Sequence, residues 1–289
     1  MSQDYQTLRS DSITAIIAPD GAELISLRDA QGLELLWQAG PVWPRHAPIL
    51  FPIVGRLNND ALRHRGTVFP MTQHGFARDR RFDWTERGPT SCTLILNDDA
   101  ATRSHYPFAF RLAVTYTVDG ADLDVAFEVT NTGDEVLPAS IGAHPAFNWP
   151  LLPELSKEAY RLTFSSEERE PIRRLKDGLL RTLPEPTSIQ GKTLALSEQL
   201  FRDDAVILDR PASTSVRYSA DRGPSIEVSW QGFRELGIWS KQEAPFLCIE
   251  PWHGFASPSD FDGEFIDKPG LMQIAPATTR MLKYHIRVG

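Results

Sequence analysis

Cysteine is scarce in this 289-residue chain, and basic residues are fewer than acidic ones. The two cysteines, Cys92 and Cys248, both lie in apolar runs, so we expect small buried side chains and not a disulfide framework. Acidic residues outnumber basic ones by 38 to 30, which gives a net charge of −8, and no run of Lys or Arg interrupts this excess. A chain with this charge is not expected to bind nucleic acid or an anionic membrane.

Long apolar segments are also absent from the sequence. No window approaches the roughly 20 apolar residues of a membrane-spanning helix, and the first residues contain no apolar leader segment. We therefore expect a cytoplasmic protein. The composition leaves its oligomeric state open between a monomer and a homodimer.

Helical periodicity is nearly missing, and alternation of apolar and polar residues dominates instead. Arg111–Val118 alternates in this way, and Asp122–Val129 repeats the pattern after the turn sequence Asp119-Gly120, which predicts a hairpin. Ser225–Trp230 and Met281–Val288 show the same half-buried pattern. Many short strands separated by Gly, Pro, Asp and Asn predict an all-β protein with a large antiparallel β-sandwich.

Shorter strands are predicted at nine further places. These are Ile13–Ala18, Glu23–Arg28, Glu34–Trp37, Phe82–Glu86, Cys92–Leu96, Val136–Ile141, Tyr160–Phe164, Ala205–Leu208 and Glu235–Trp239. A short helical turn is expected at Leu196–Arg202. Leu151–Gly191 is rich in Pro, Glu, Arg and Ser, has one clear strand, and is expected to be an excursion from the sandwich. Length and pattern together predict a single domain over residues 1–289.

The segment FLCIEPWHG, Phe246–Gly254, has a carboxylate directly after an apolar strand. Burying an unpaired carboxylate is costly, so Glu250 at this place suggests a site. At the rim of an apolar pocket the pKa of Glu250 would rise and the group could accept a proton. Pro251 is expected to end the strand, and Trp252 offers a flat apolar face of the kind on which sugar rings stack. The alternative is a glutamate that caps a loop.

Two segments place a cation or a histidine beside glycine. Pro48–Leu57, PILFPIVGRL, includes Arg56, whose planar guanidinium can bind two hydroxyls or a phosphate. In Gln73–Arg78, QHGFAR, His74 precedes a glycine that allows close approach of a ligand, and Arg78 adds a cation. The ordinary alternatives are a surface arginine and a structural histidine.

Two further segments bring a histidine and carboxylates to strand ends. Gly142–Trp149, GAHPAFNW, holds His144 between small residues, which leaves room around its ring. Phe201–Leu208, FRDDAVIL, places Asp203 and Asp204 directly before an apolar strand. The alternatives are a loop histidine with satisfied hydrogen bonds and exposed turn carboxylates.

No metal or cofactor pattern accompanies these residues. The histidines lack the i, i+3 or i+4 spacing of a helical metal site, and the two cysteines lie far apart in sequence. The chain has no glycine-rich phosphate loop, no GxSxG motif and no nucleophile with an obvious base. We expect no metal and no cofactor. Two histidines, one or two carboxylates, an arginine and aromatics suit non-covalent acid/base chemistry on a polar ring compound.

In combination, GRL, HGFAR, GAHPAFNW, the DDA strand start and CIEPWHG resemble the aldose 1-epimerase (galactose mutarotase) superfamily. The resemblance is closer to its shorter LacX-like branch, and it extends from GAELISLRDAQGLELLW at Gly21–Trp37 to the closing strand. It implies a large antiparallel β-sandwich, in agreement with the periodicity. It also implies an isomerase that interconverts the α and β anomers of an aldose without a cofactor.

The resemblance further implies a role for each motif residue. In the family, a glutamate acts as general base on the anomeric hydroxyl and a histidine protonates the ring oxygen. By motif, these residues are Glu250 and His144. His74 would bind and polarise the sugar, Asp204 would hold ring hydroxyls, and Arg56 would contact hydroxyls near the reacting centre.

The same resemblance leaves the substrate and the stacking residue open. The HGFAR context is similar to that of the LacX and hexose-6-phosphate branches, so Arg78 raises a phosphorylated sugar as an alternative substrate. The stacking face would come from Trp252, Phe147 or Trp149.

Two other classes of function remain as alternatives. One is a non-catalytic sugar-binding or regulatory protein on the same scaffold. The other is a glycoside hydrolase in which Glu250 and Asp204 are the two carboxylates.

Overall fold

The computed structural model describes residues 4–289, so the first three residues of the predicted domain and N-terminal segment lie outside it. The strands are, in chain order, β1 (Gln6–Arg9), β2 (Ile13–Ile17), β3 (Leu24–Asp29), β4 (Ile49–Leu50), β5 (Ala61–His64), β6 (Thr67–Pro70), β7 (Asp83–Arg87), β8 (Ser91–Asn97), β9 (Phe110–Asp119), β10 (Asp122–Asn131), β11 (Leu137–Ala139), β12 (Ile141–Ala143), β13 (Ala146–Asn148), β14 (Arg161–Phe164), β15 (Leu175–Lys176), β16 (Leu179–Leu180), β17 (Thr193–Ala195), β18 (Val206–Leu208), β19 (Ser215–Ser219), β20 (Ile226–Gln231), β21 (Glu235–Trp239), β22 (Phe246–His253), β23 (Met272–Ile274) and β24 (Thr279–Val288).

Helix within residues 4–289 is confined to one four-residue segment and five 3₁₀ turns. These are α1 (Ala100–Arg103) and the turns Asn58–Asp60, Ala77–Asp79, Lys157–Ala159, Glu198–Phe201 and Phe265–Asp267. None of the helices in this range has the length and apolar character needed to cross a membrane.

Nine strands form the larger sheet, in the spatial order β17-β14-β19-β20-β24-β10-β9-β8-β7. The predicted hairpin joins β9 to β10: Asp119 pairs with Asp122, and Gly120 in the turn has φ = +53°. Every second residue of β10 is buried, as the period-two pattern of the sequence predicts.

Six strands form the smaller sheet, in the order β18-β21-β22-β12-β4, with β13 also paired to β22. Side chains of both sheets share one apolar core, to which the larger sheet contributes Val125 and Ile286 and the smaller sheet Ile238 and Ile249. The predicted all-β antiparallel sandwich is therefore confirmed.

Strand β22 differs from the sequence prediction at Pro251. The strand continues through Pro251, which pairs with Leu236 of β21, so the prediction that this proline ends the strand is wrong. On the other side of the strand, the Ile249 N–H donates to the Pro145 carbonyl at 3.3 Å. Because N–H groups two residues apart point the same way, the missing N–H of Pro251 faces the irregular segment around Pro145. No hydrogen bond to β21 is lost.

Other predicted elements are modified in the structure. Glu34–Trp37 makes only isolated bridges to neighbouring segments, and Val136–Ile141 is divided between β11 and β12. Leu151–Gly191 contains β14, which joins the larger sheet, and also the short hairpin β15-β16. The helical turn expected at Leu196–Arg202 is the 3₁₀ turn Glu198–Phe201.

Candidate active site

Strand β22 has a different chemistry on each of its two faces. Leu247 and Ile249 belong to the main core, and the alternate residues Cys248, Glu250 and Trp252 point the other way. All eight residues of the strand are buried. The strand therefore holds a carboxylate inside the protein, on the face that turns away from the main core.

The neighbouring segment places His144 directly across from Glu250. β13 pairs Ala146 with Cys248, and β12 pairs with β22 in the same register, so His144, between these two strands, faces Glu250. The distance from His144 Nε2 to Glu250 Oε2 is 3.3 Å, and the side chains are only 8% and 1% exposed. Sheet pairing thus brings together the two residues that the sequence identifies as candidate acid and base.

His74 reaches the same place from a loop. Its backbone has φ = +67° and is fixed by an N–H bond to the Gly55 carbonyl at 2.8 Å. The Gly55 N–H donates in return to His74 Nδ1 at 3.1 Å. Because Nδ1 accepts a hydrogen bond, the ring hydrogen of neutral His74 is on Nε2. The rings of His74 and His144 meet edge to face, with centroids 5.7 Å apart.

These side chains line a cavity of about 250 Å³. Its polar lining consists of Gln73, His74, Arg78, His144, Asp204 and Glu250. Most of the remaining wall is apolar and includes three tryptophans, Trp43, Trp239 and Trp252. The volume is below the roughly 300–1,000 Å³ of typical ligand pockets, which favours a small ligand such as a single sugar ring.

Trp252 forms its part of the wall because glycine lies beside it on both neighbouring strands. A Cβ atom added to Gly142 of β12 or Gly237 of β21 would lie 2.5 or 2.4 Å from the indole. Any residue larger than glycine at these two positions would therefore clash with the indole ring of Trp252. Phe147 and Trp149, the other two expected stacking residues, are fully buried in the main core and do not line the cavity.

Two further tryptophans surround His144 and were not anticipated from the sequence. Trp43 stacks on the imidazole with centroids 5.1 Å apart and ring planes 29° apart. Trp239 approaches the same ring edge-on at 5.7 Å. Trp239 ends a strand that the sequence does predict, but Trp43 comes from a loop without any periodic signal.

Arg78 and Asp204 lie at the cavity as expected. Arg78 Nη2 donates to the Gln73 carbonyl at 2.7 Å, whereas the buried Nε makes no hydrogen bond among residues 4–289 and lies 3.8 Å from Asp79 Oδ2. Burial and the nearby Arg45 lower the pKa of Arg78 to about 10. Asp204 is exposed and has φ = +67°, a conformation in which its Oδ1 accepts the Ala205 N–H at 2.7 Å.

Arg56 lies outside the cavity, contrary to the expectation from the sequence. Its Nε and Nη2 both donate to the carboxylate of Asp60, each at 2.6 Å. This bidentate pair, formed by residues four apart, holds the guanidinium, and Val54 and Gly55 line the cavity in this segment while Arg56 does not. His253 is also outside, because it points to the other face of β22 and its Nδ1 contacts the Gly232 carbonyl at 3.1 Å.

Burial sets the charge of the central groups. It raises the pKa of Glu250 well above 4.5, with a smaller contribution from the charge of Asp204. It lowers the pKa of His144 to about 3, with a contribution from Arg78, and it lowers the pKa of His74 well below 6.5. Both imidazoles are therefore uncharged at neutral pH, and burial favours the protonated form of Glu250.

A thiol completes this group of side chains. Within the described part of the chain, donor atoms of His144, Cys248 and Glu250 all lie within 4.8 Å of one another, and all three residues are buried. Spacing along the chain does not indicate this cluster, and the apolar run around Cys248 predicts only a small buried side chain.

The family model described as aldose 1-epimerase matches residues 4–272. The chain belongs to the aldose 1-epimerase family. Protein LacX of Lactococcus lactis subsp. lactis, in both its plasmid and chromosomal forms, is a 35% identical relative, and the match covers 97% of this chain and 98% of LacX. The resemblance inferred from the motifs is therefore confirmed.

Solved structures of the aldose 1-epimerase family agree with this assignment. A galactose mutarotase related enzyme from Lactobacillus acidophilus has a TM-score of 0.93 and 33% identity, covering 99% of this chain and 97% of its own. A galactose mutarotase-like protein from Lactobacillus casei has a TM-score of 0.90 and 30% identity, covering 99% and 100%. The family and these neighbours support a mutarotase-type function on a sugar.

Proposed function

We propose that the protein is an aldose 1-epimerase that interconverts the α and β anomers of a hexose by opening and reclosing the ring. The observation that carries this proposal is the pairing of His144 with Glu250 in a small buried cavity, with Nε2 and Oε2 3.3 Å apart. An acid and a base at this separation can act on two oxygens bonded to the same carbon.

Mutarotation requires two proton transfers. Glu250, as a carboxylate, takes the proton of the C1 hydroxyl, and the electrons of that O–H bond form the carbonyl at C1. The bond from C1 to the ring oxygen breaks, and its electron pair takes a proton from the imidazolium of His144. Rotation about C1–C2 and reversal of both transfers give the other anomer.

The reaction needs a pair that holds one exchangeable proton. A carboxylic acid beside a neutral imidazole and a carboxylate beside an imidazolium contain the same number of protons. They differ only in whether the proton is on Glu250 or on His144, whose Oε2 and Nε2 atoms lie 3.3 Å apart. A hydroxyl that donates to Glu250 stabilises the carboxylate, so the binding of the sugar itself favours the reactive form.

The remaining cavity residues fit binding of a neutral ring. The Nε2–H of His74 is available to donate to a sugar oxygen, since its Nδ1 is occupied by the Gly55 N–H. Asp204 offers a carboxylate to ring hydroxyls, and Trp252 offers an apolar face.

One observation favours a phosphorylated hexose as a second candidate substrate. The buried Nε of Arg78 makes no hydrogen bond within residues 4–289, although Asp79 Oδ2 lies 3.8 Å from it, and Arg45 is close enough to lower the pKa of Arg78. Two neighbouring guanidinium groups suit an anion. Arg78→Met should then lower the rate with glucose 6-phosphate at least ~10-fold more than the rate with glucose.

The direct test is proton exchange spectroscopy between the two anomers of glucose, galactose and glucose 6-phosphate. The protein should accelerate exchange, and Glu250→Gln should reduce the acceleration by ~10²-fold or more while sugar-induced thermal stabilisation is retained. Glu235→Gln is the matched control, because Glu235 is another buried glutamate in the same sheet that does not line the cavity.

The alternatives predict other results. Sugar-induced stabilisation without faster exchange for any sugar would instead support a binding protein. Release of sugar from glycosides without anomer exchange would support a hydrolase. Full activity in Glu250→Gln would refute the mechanism.

A further inference from the structure

One face of the smaller sheet brings three different donor atoms together, and two of the residues that carry them, His144 and Glu250, line the cavity. Cys248 and Glu250 are two residues apart on β22 and point the same way, and His144 faces Glu250 from the break between β12 and β13. The imidazole nitrogen, the thiol sulfur and a carboxylate oxygen lie within 4.8 Å of one another.

Two of these groups have polar atoms without partners. Glu250 Oε2 and His144 Nδ1 are buried and make no hydrogen bond within residues 4–289. The Nε2–Oε2 contact at 3.3 Å does not have the alignment of a hydrogen bond. Buried polar atoms are nearly always paired, so an unpaired carboxylate oxygen on a residue that is 1% exposed indicates that a ligand belongs there.

The donor types select a particular class of ion. Sulfur, nitrogen and one carboxylate oxygen suit Zn²⁺ and similar thiophilic divalent cations, whereas Mg²⁺ and Ca²⁺ require mostly oxygen ligands. Three protein ligands leave a fourth tetrahedral position, which here would face the cavity. This is the arrangement of a zinc site that keeps an exchangeable ligand.

Charge balance also favours a divalent ion. A thiolate and a carboxylate together neutralise a 2+ ion, so the occupied site carries no net charge in a buried environment. A thiophilic cation displaces the thiol proton of Cys248 when it binds, because the thiolate is the form of cysteine that acts as a ligand. Arg78 at the cavity wall opposes a cation, which limits the affinity.

We propose that His144, Cys248 and Glu250 form a binding site for a thiophilic divalent cation of the Zn²⁺ type, which inhibits the enzyme by occupying its acid/base pair. The binding part stands on the geometry of the three donors alone. The inhibition part rests on the proposed function.

Cobalt substitution tests the binding part without any activity assay. Co²⁺ added to the metal-free protein should give the thiolate-to-cobalt charge-transfer band and the intense visible bands of a tetrahedral centre, at about one equivalent. Cys248→Ala should lose the charge-transfer band, and Cys92→Ala, which removes the other buried free cysteine, should keep it. Absence of the band in the native chain, or its persistence in Cys248→Ala, overturns the proposal.

Alkylation of the native chain gives a second measurement that needs no variant. Zn²⁺ should slow iodoacetamide labelling of Cys248 more than labelling of Cys92 under mildly destabilising conditions, as measured by mass spectrometry, because the metal blocks the Cys248 thiolate itself, whereas Cys92 is protected only by the stabilisation of the folded state. Equal protection of both cysteines would indicate general stabilisation and would contradict a site at Cys248.

Titration of the exchange activity separates the two proposals. Zn²⁺, but not Mg²⁺, should inhibit the native chain and the Cys92→Ala variant. The Cys248→Ala variant should need at least ~10-fold more Zn²⁺ for the same fractional inhibition, measured relative to its own metal-free rate. A cobalt site in a chain without exchange activity would leave the metal site standing and refute the proposed function. Exchange activity that is insensitive to Zn²⁺, in a chain that gives no cobalt band, would support the proposed function and refute the metal site.

Discussion

At His74, contacts of the backbone decide which ring nitrogen can bind a ligand. The Gly55 N–H donates to Nδ1, so the hydrogen is on Nε2 and the ring is a donor towards an oxygen. The following Gly75 has φ = +72°, and a Cβ there would lie 2.2 Å from the Phe51 carbonyl oxygen. Glycine is therefore required after His74, because the backbone at Gly75 passes too close to Phe51 to leave room for a side chain.

His144 is the residue for which a change should affect catalysis most selectively. His144→Asn keeps a polar side chain but removes the proton donor, so we expect kcat to fall by ~10²–10⁴-fold and sugar binding to change little. His253→Asn is the control, because His253 is buried on the other face of β22 and contacts the Gly232 carbonyl. Anomer exchange spectroscopy together with sugar-induced thermal shifts measures both effects. Equal losses in the two variants would contradict the role of His144.

At the scale of elements, the interruption between β12 and β13 creates the site. The two strands pair with β22 in one register, but His144 and Pro145 between them leave the regular ladder. This break places the imidazole against Glu250. Pro251 fits in β22 because its missing N–H faces the same break.

The packing of Trp252 against its two glycines makes a further prediction. Gly237→Ala would put a Cβ 2.4 Å from the indole, so we expect a loss of ~1–3 kcal/mol in the free energy of unfolding and lower exchange activity. Trp252→Phe in the same chain should recover part of the stability, because the smaller ring leaves room. Denaturant unfolding of the two single variants and the double variant measures this coupling. Strict additivity of their effects would show that the indole and the β21 backbone do not compete for space.

The sequence predicts these elements to different degrees. The hairpin β9-β10 follows from local alternation and a turn with glycine, and Glu250 is conspicuous because a carboxylate follows an apolar run. The sequence does not show that Cys248, Trp43 and Trp239 surround the same pair, because that depends on pairing between strands about 100 residues apart. The sequence predicts Arg56 at the site because nothing in the sequence pattern indicates that Arg56 forms a local ion pair with Asp60.

Across the whole molecule, two further buried titratable residues, Glu235 and Lys268, lie outside the cavity. Glu235 begins β21 and its Oε2 accepts the Gly254 N–H at 2.8 Å. Lys268 follows the 3₁₀ turn Phe265–Asp267 and donates to the Phe255 carbonyl at 2.6 Å. Burial raises the pKa of Glu235 from 4.5 to about 7 and lowers the pKa of Lys268 from 10.5 to about 7.

These two shifts have opposite effects on stability. Between pH 4.5 and about 7 the folded chain binds more protons at Glu235 than the unfolded chain does, so this residue makes stability fall as the pH rises. Between about pH 7 and 10.5 the unfolded chain binds more protons at Lys268, so this residue makes stability rise with pH. The combined contribution of the pair is smallest near neutral pH.

Glu235→Gln should remove the first of these two effects. Glutamine can still accept the Gly254 N–H, but it has no charge to bury, so the decline in stability between pH 5 and 7 should become shallower than in the native chain. Above pH 7 the variant should be more stable by roughly 3 kcal/mol, which is what a shift from 4.5 to about 7 implies. Lys268→Met should keep the decline and lose the rise towards pH 10. Urea unfolding at half-unit steps from pH 5 to 10 measures both curves. Parallel curves for the native chain and Glu235→Gln would mean that this carboxyl group is already ionised at pH 5 in the folded protein.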